Sequence, residues 1–356
     1  MRYGIIPTRL AERLALWFGR VPVGVVDSLL PLVQTRSLMA AVRLGIADAI
    51  GTKEVSAVDV ARSCNLDAGA VDMLLRVLVS AGYVAVCRGS SQKITNYCLS
   101  SLGRRTLLRG SPLEARGYMM WNFVQWNLVE NLEELLQTGR GLNLHETLHG
   151  EQVWHWYQEA MLDVSRIAAP IIAKLVPVKP EAEQLLDIGG SHGLLGAAIC
   201  RRHPPMRSIV LDLPVTIEQA RAIAGRAGVD DVVEYRAGNV LKDELPADVD
   251  VVLLANVIHH FTKDEAIRVL QKARAAMKRG GTVAIWDFDR PSPDAPPELV
   301  ADVSALYFKL TSTSQVVSGD EYAAWLREAG FEGVSLKRSL MAPVQVLAMG
   351  KCPHPQ

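Results

Sequence analysis

From Gln184 onward short apolar runs alternate with helical patterns: QLLDIGG, a helix, SIVLDLP, a helix, VVEYRAGNV, DVVLLANVIHHF, a helix, then TVAIWDF. That alternation implies a mostly parallel sheet with helices on both faces. Within it, LLDIGGSHGLLGAAI reads as a strand from Leu185 to Ile188, a glycine-rich turn, and a helix whose first N–H groups are free. Glycines 189, 190 and 193 let the backbone approach a ligand that a β-carbon would exclude. The dinucleotide fingerprint would put glycines at 189, 191 and 194, where the chain has Gly189, Ser191 and Leu194, so NAD fits poorly. Asp212 ends the next strand, SIVLD, 25 residues after Asp187, where a carboxylate can accept both hydroxyls of a ribose. The alternative for Asp212 is a cap on the helix announced by Pro214.

The front half follows another pattern. Leu38, Val42, Ile46 and Ile50 recur every four residues, which predicts one buried helix over 37–51 ended by Gly51. Next come a helix from Ser56, a turn at Asn65, a helix from Asp67 and a strand after Gly82, the winged-helix arrangement. DNA reading is disfavoured, because the second helix offers Asp67, Asp72 and a single Arg76 where base and phosphate contacts need Arg, Lys, Asn or Gln. The stripe Val71, Leu74, Leu75, Val77 and Leu78 instead suggests a dimerisation module. Zero formal charge, 38 basic against 38 acidic residues, also argues against a nucleic-acid or polybasic membrane partner.

Residues 1–34 are apolar but interrupted by Arg9, Glu12, Arg13, Arg20, Pro7, Pro22 and Pro31, which reads as a strap across a dimer partner rather than a signal peptide. No uncharged run approaches the length of a membrane helix; Arg2, Arg9, Arg13 and Arg20 beside apolar faces could suit an interfacial helix, but membrane contact is the lesser expectation. The five cysteines are an odd number without metal spacing, so neither a disulfide framework nor a metal site is expected, and a reducing cytoplasm fits. Residues 35–110 form the expected dimerisation domain, 111–178 a helical linker with pocket helices, and 179–352 the catalytic domain.

DIGGSHG, VLDLP, AGNV, NVIHHF, GGTVAIWDF and WLREAGF, in that order, resemble the S-adenosylmethionine-dependent methyltransferases of the class I, Rossmann-like fold. With the winged-helix front half, the chain from about 36 to 350 is similar to the small-molecule O-methyltransferases that include caffeate, acetylserotonin and bacterial polyketide enzymes. The resemblance implies S-adenosylmethionine as cofactor, S-adenosylhomocysteine as product, no metal, and a homodimer through the front domain. It implies that Gly189, Gly190 and Gly193 hold the methionine part, Asp212 the ribose, and Leu213 the adenine face, with Asp187 also among the cofactor-binding residues. Gly238, Asn239, Val240 and Asn256 complete the cofactor site, with Asn239 where the family has Asp; an amide oxygen still accepts the adenine amino group.

The family's catalytic histidine falls on His259, followed here by His260 and Phe261, and its acidic partner on Asp287. A second acid falls on Val316 and is missing. Tyr157 and Met161, in YQEAM, match a sandwich around an aromatic acceptor, with Tyr307 and Thr311 on the other wall. Trp121, Trp126, Trp154 and Trp156 add to the expectation of an apolar, flat substrate. The leading expectation is methylation of a hydroxyl. Its rivals are methylation at carbon, a redirected cofactor-binding enzyme, and a ligand-sensing transcription regulator.

Overall fold

In the computed structural model, which describes residues 6–87, 95–292 and 294–353, the chain divides into two units, Met1–Phe123 and Val124–Gln356. The first contains α1 (Leu10–Trp17), α2 (Val23–Arg43), α3 (Ile46–Ile50), β1 (Val55–Ser56), α4 (Ala57–Cys64), α5 (Ala68–Ser80), β2 (Val84–Cys87), β3 (Asn96–Leu99) and α6 (Ser101–Leu107). A further helix, α7 (Arg116–Leu128), begins in it. The turn chemistry behaves as the sequence predicts: Ser56 Oγ accepts from Asp59 N–H, Asn65 adopts the left-handed conformation (φ 55°), and Asp67 accepts from Ala70 N–H at 2.7 Å. Strands β2 and β3 pair antiparallel, and β1 adds to β3.

Three expectations are corrected here. The helix over 37–51 is two helices, because Gly45 turns left-handed (φ 75°) between α2 and α3, while α2 itself starts far earlier, at Val23. Val71, Leu75 and Leu78 are spent on the unit's own core; the larger apolar surface left bare lies upstream, on α1 and the first half of α2. Cys87 and Cys98 are joined by a disulfide between β2 and β3, where diagonal positions on one face of the hairpin bring them together. By length and composition α2, 21 residues with mean hydropathy 1.2, is long and apolar enough to cross a membrane. Asp27 and Arg36 interrupt it, so the criterion of an uncharged run passes over it.

The second unit opens with α8 (Leu132–Thr138), α9 (Leu144–Thr147) and the long α10 (Glu151–Leu175). Then strands and helices alternate: β4 (Gln184–Ile188), α11 (Leu194–Arg202), β5 (Arg207–Asp212), α12 (Pro214–Ala227), β6 (Val233–Ala237), β7 (Val249–Ala255), α13 (Lys263–Ala276) and β8 (Met277–Phe288). The unit ends with α14 (Leu299–Thr311), α15 (Gly319–Glu328), β9 (Glu332–Ser339) and β10 (Ala342–Lys351). The seven strands lie in the order β6-β5-β4-β7-β8-β10-β9, parallel except for β10, which runs antiparallel to both neighbours.

The two-residue period of a strand divides the core into two layers. Leu185, Val251, Leu253, Ala284 and Trp286 pack under α10 and α11, while Leu186, Val252, Leu254 and Ile285 pack under α13 and α15. A sheet covered on both faces leaves its strand ends for function. The chain steps outward from β4 to β5 and β6 and then returns to β7 on the other side of β4, so the connections diverge there and open a crevice at the carboxyl ends.

Candidate active site

A cavity of about 540 Å³ fills that crevice. Ile188 pairs with both Leu211 and Leu254, which brings the ends of β4, β5 and β7 level. Asp187, Gly189 and Gly190 line it from β4, Asp212 and Leu213 from β5, Gly238, Asn239 and Val240 after β6, and Asn256 after β7. Gly189 has φ +67°, and a β-carbon there would sit 2.7 Å from Val257 Cγ2; one on Gly190 would sit 2.5 Å from the Asp187 carboxyl carbon. The turn therefore packs against Val257 and Asp187 too closely for larger residues. Gly193 does not line the cavity; it starts α11 in the left-handed conformation (φ 78°).

Asp212 is fixed by two backbone donors, Ser191 N–H to Oδ2 at 2.8 Å and Leu213 N–H to Oδ1 at 2.7 Å, and by the Thr216 side chain, which leaves the carboxylate one lone-pair site for a ligand hydroxyl. Burial pushes its pKa up and those donors pull it back. Asp187 is more deeply buried and is pushed up to about 7, with the Gly196 N–H opposing and the Asp212 charge adding. Its Oδ1 is buried without a partner. The Asn239 carbonyl accepts from Leu241 N–H at 2.9 Å, which orients it with one lone pair spare. A glycine turn on the cavity wall, a fixed carboxylate beside it and an open buried acceptor fit the cofactor expected from the sequence.

From α10, Tyr157 and Met161 line the cavity, as the sequence predicts. Tyr307 and Thr311 do not: Thr311 is buried with its hydroxyl donating to the Tyr307 carbonyl, and it is the next residues, Ser312 and Thr313, that reach the wall. None of the four tryptophans lines it either; Trp121 and Trp154 are buried in packing. Sequence reasoning passed over Gln158, Ser191, His192 and Ser312. Gln158 had a visible signal, a polar side chain set in the apolar segment between Tyr157 and Met161.

His259 lies in a short 3-10 turn, Ile258–His260, and its Nδ1 is 2.7 Å from Asp287 Oδ1. Both residues are buried, His259 at 1% exposure. An ionised carboxylate only accepts, so Nδ1 carries the proton and Nε2 holds a lone pair, buried without a partner. Asp287 Oδ1 also accepts from Phe288 N–H at 2.8 Å, which fixes the acid. The ring is flanked by His260 and Phe308, with centroids 4.2 and 4.5 Å away. Of the two adjacent histidines it is His260, with Nδ1 2.9 Å from Ser312 Oγ, that lines the cavity wall; His259 stands one layer behind it. Val316 is buried at 2% exposure and brings no second acid.

The model of the O-methyltransferase domain matches residues 130–332, and that of the O-methyltransferase dimerisation domain matches 27–109. The chain belongs to the O-methyltransferase family. It is 30% identical over 273 residues, 71% of each chain, to 3-O-methylredipecamine 2-O-methyltransferase IpeOMT3 of Carapichea ipecacuanha. Over 332 residues, 89% of this chain and 91% of the relative, it is 23% identical to 3-hydroxy-5-methyl-1-naphthoate 3-O-methyltransferase of Streptomyces sahachiroi. Human N-acetylserotonin methyltransferase, solved in complex with its cofactor S-adenosylmethionine, superposes with a TM-score of 0.82 at 17% identity, over 98% of this chain and all of that one. This O-methyltransferase is thus an S-adenosylmethionine-dependent enzyme acting on small molecules, with the class I fold and a dimerisation domain in front.

Proposed function

We propose that this O-methyltransferase methylates a hydroxyl of an apolar, aromatic or polyketide-like small molecule, with His259 taking the proton and Asp287 orienting the imidazole. The observation that carries the reading is the buried His259–Asp287 pair, which leaves Nε2 without a partner one layer behind the wall that His260 lines, so the reading requires the acceptor hydroxyl to reach past that wall. The glycine turn, Asp212 and Asn239 would hold the cofactor, which would supply an already activated methyl group. What remains for the chain is to hold the acceptor hydroxyl in line, exclude water and remove its proton. A phenol suits one weakly supported base, since its pKa near ~10 lies closer to that of histidine than an aliphatic alcohol's does. Tyr157 and Met161 favour a flat apolar acceptor, and a relative's name specifies the hydroxyl of a naphthoate.

The test is to incubate the enzyme with labelled S-adenosylmethionine and a panel of phenols and locate the methyl by mass spectrometry and NMR. His259→Ala should lower turnover roughly 100-fold while leaving S-adenosylhomocysteine affinity nearly unchanged. Asp287→Ala should act in the same direction and by less. Retention of more than about a third of turnover by His259→Ala, with chemistry rate-limiting, would remove the proton-transfer role, and a product methylated at carbon would replace the reading altogether.

A further inference from the structure

Gln158 and Ser191 are 33 residues apart and meet in the cavity wall, where the Ser191 hydroxyl donates to Gln158 Oε1. Gln158 is fully buried at 0% exposure, and its Nε2 finds no partner. A buried amide donor left unmade is costly, so the arrangement asks for an acceptor. Just before the glycine turn that carries Ser191 stands an orphan of the opposite kind. Asp187 Oδ1 is buried without a partner, while Oδ2 takes a long bond of 3.3 Å from Gly196 N–H. Both residues line the cavity, Asp187 just before the glycine turn and Gln158 touching it at Ser191. One open acceptor just before the glycine turn and one open donor on α10, tied to that turn by Ser191, in the wall of one cavity are the complement of an α-amino acid zwitterion, ammonium to Asp187 and carboxylate to Gln158. His192, also on the wall, brings no charge to that anion, because burial holds its ring neutral, its pKa down to about 4.

We infer that Gln158 is a cofactor-binding residue whose Nε2–H donates to the α-carboxylate of the cofactor's amino-acid end, with Ser191 holding the amide the right way round. The inference rests on the reading of this cavity as the cofactor site. It makes α10 a shared element, since neighbouring Tyr157 faces the same cavity from the same turn of helix.

The experiment is calorimetric titration of wild type, Gln158→Met and Gln158→Glu with S-adenosylhomocysteine and with 5′-methylthioadenosine, which keeps the nucleoside and thioether but lacks the amino-acid end. Thermal melts of each variant establish that it is folded. Gln158→Met should bind S-adenosylhomocysteine at least about 10-fold more weakly, and Gln158→Glu more weakly still, because two carboxylates would then face each other. Methylthioadenosine affinity should stay within about twofold; where it is too weak to titrate, the order of the Met and Glu variants decides. Unchanged S-adenosylhomocysteine binding, equal losses for both ligands, or tighter binding by Gln158→Glu than by Gln158→Met would overturn the inference. A folded wild type that binds no S-adenosylhomocysteine would overturn the reading of the cavity itself.

Discussion

Asp187 sits in an environment a carboxyl does not prefer: it has one open oxygen and is buried, which pushes its pKa up to about 7 from an ordinary 3.8. The folded chain therefore binds a proton that the unfolded chain has released between about pH 4 and pH 7. Stability from this group is present at low pH, falls as pH rises through that window, and levels above about 7; the shift from 3.8 to about 7 corresponds to at most ~4 kcal/mol. Other carboxylates, such as Glu321, held low by its bonds to Ser318, contribute in the opposite sense, so the comparison has to be made against a variant. Between pH 5 and 8, urea unfolding should show wild type losing more stability than Asp187→Asn; parallel pH profiles would show that the proton is not held at this site. A cationic ligand beside Asp187 favours the ionised form, which links cofactor binding to release of that proton.

At the scale of elements, the connection from β4 to α11 joins fold to function, and at Gly189 a close contact and a left-handed backbone coincide. Alanine there would hold a β-carbon 2.7 Å from Val257 Cγ2 at a φ of +67°, two separate costs, steric and conformational. Gly189→Ala should lose roughly 1–3 kcal/mol by chemical denaturation together with S-adenosylhomocysteine affinity, and adding Val257→Ala should restore only the steric part. Stability unchanged within about 0.5 kcal/mol would mean that the turn yields freely. Strand β4 and its turn were legible in the sequence because apolar runs and glycine spacing act locally. The break at Gly45 was not, since the four-residue spacing from Leu38 to Ile50 runs straight through it. The exchange of histidines on the wall was hidden for a related reason. A 3-10 turn rotates adjacent residues by about 120°, so His260 meets the cavity while His259 turns toward β8, and spacing alone does not say which faces where. The tryptophans misled because an apolar payload announces burial without naming the cavity.

At the scale of the molecule, the unit with the dimerisation match exposes a surface that a lone chain rarely keeps. Leu10 is 72% exposed, Trp17 78% and Phe18 62%, and Val25, Leu29, Leu30, Leu32 and Val33 continue the apolar surface along α2. Single exposed apolar residues are ordinary, but a contiguous run along two successive helices marks an interface. The match to the dimerisation domain begins at residue 27, inside α2, and closed twofold symmetry is the commonest way to cover such a surface. Val25 and Leu29 lie one turn apart on α2, so one pair of charges should disrupt the contact at little cost to the fold, whose buried residues on this helix begin at Leu38. Light scattering should return about 78 kDa for wild type, twice 38.9 kDa, and about 39 kDa for the double variant Val25→Asp, Leu29→Asp. The two arginines flanking α1 on the same segment, Arg9 and Arg20, give lipid the rival claim. Wild type at about 39 kDa that co-sediments with vesicles of anionic lipid would assign the surface to a membrane instead, whereas a dimer that ignores such vesicles and loses its partner with the two charges would assign it to a second copy of the chain.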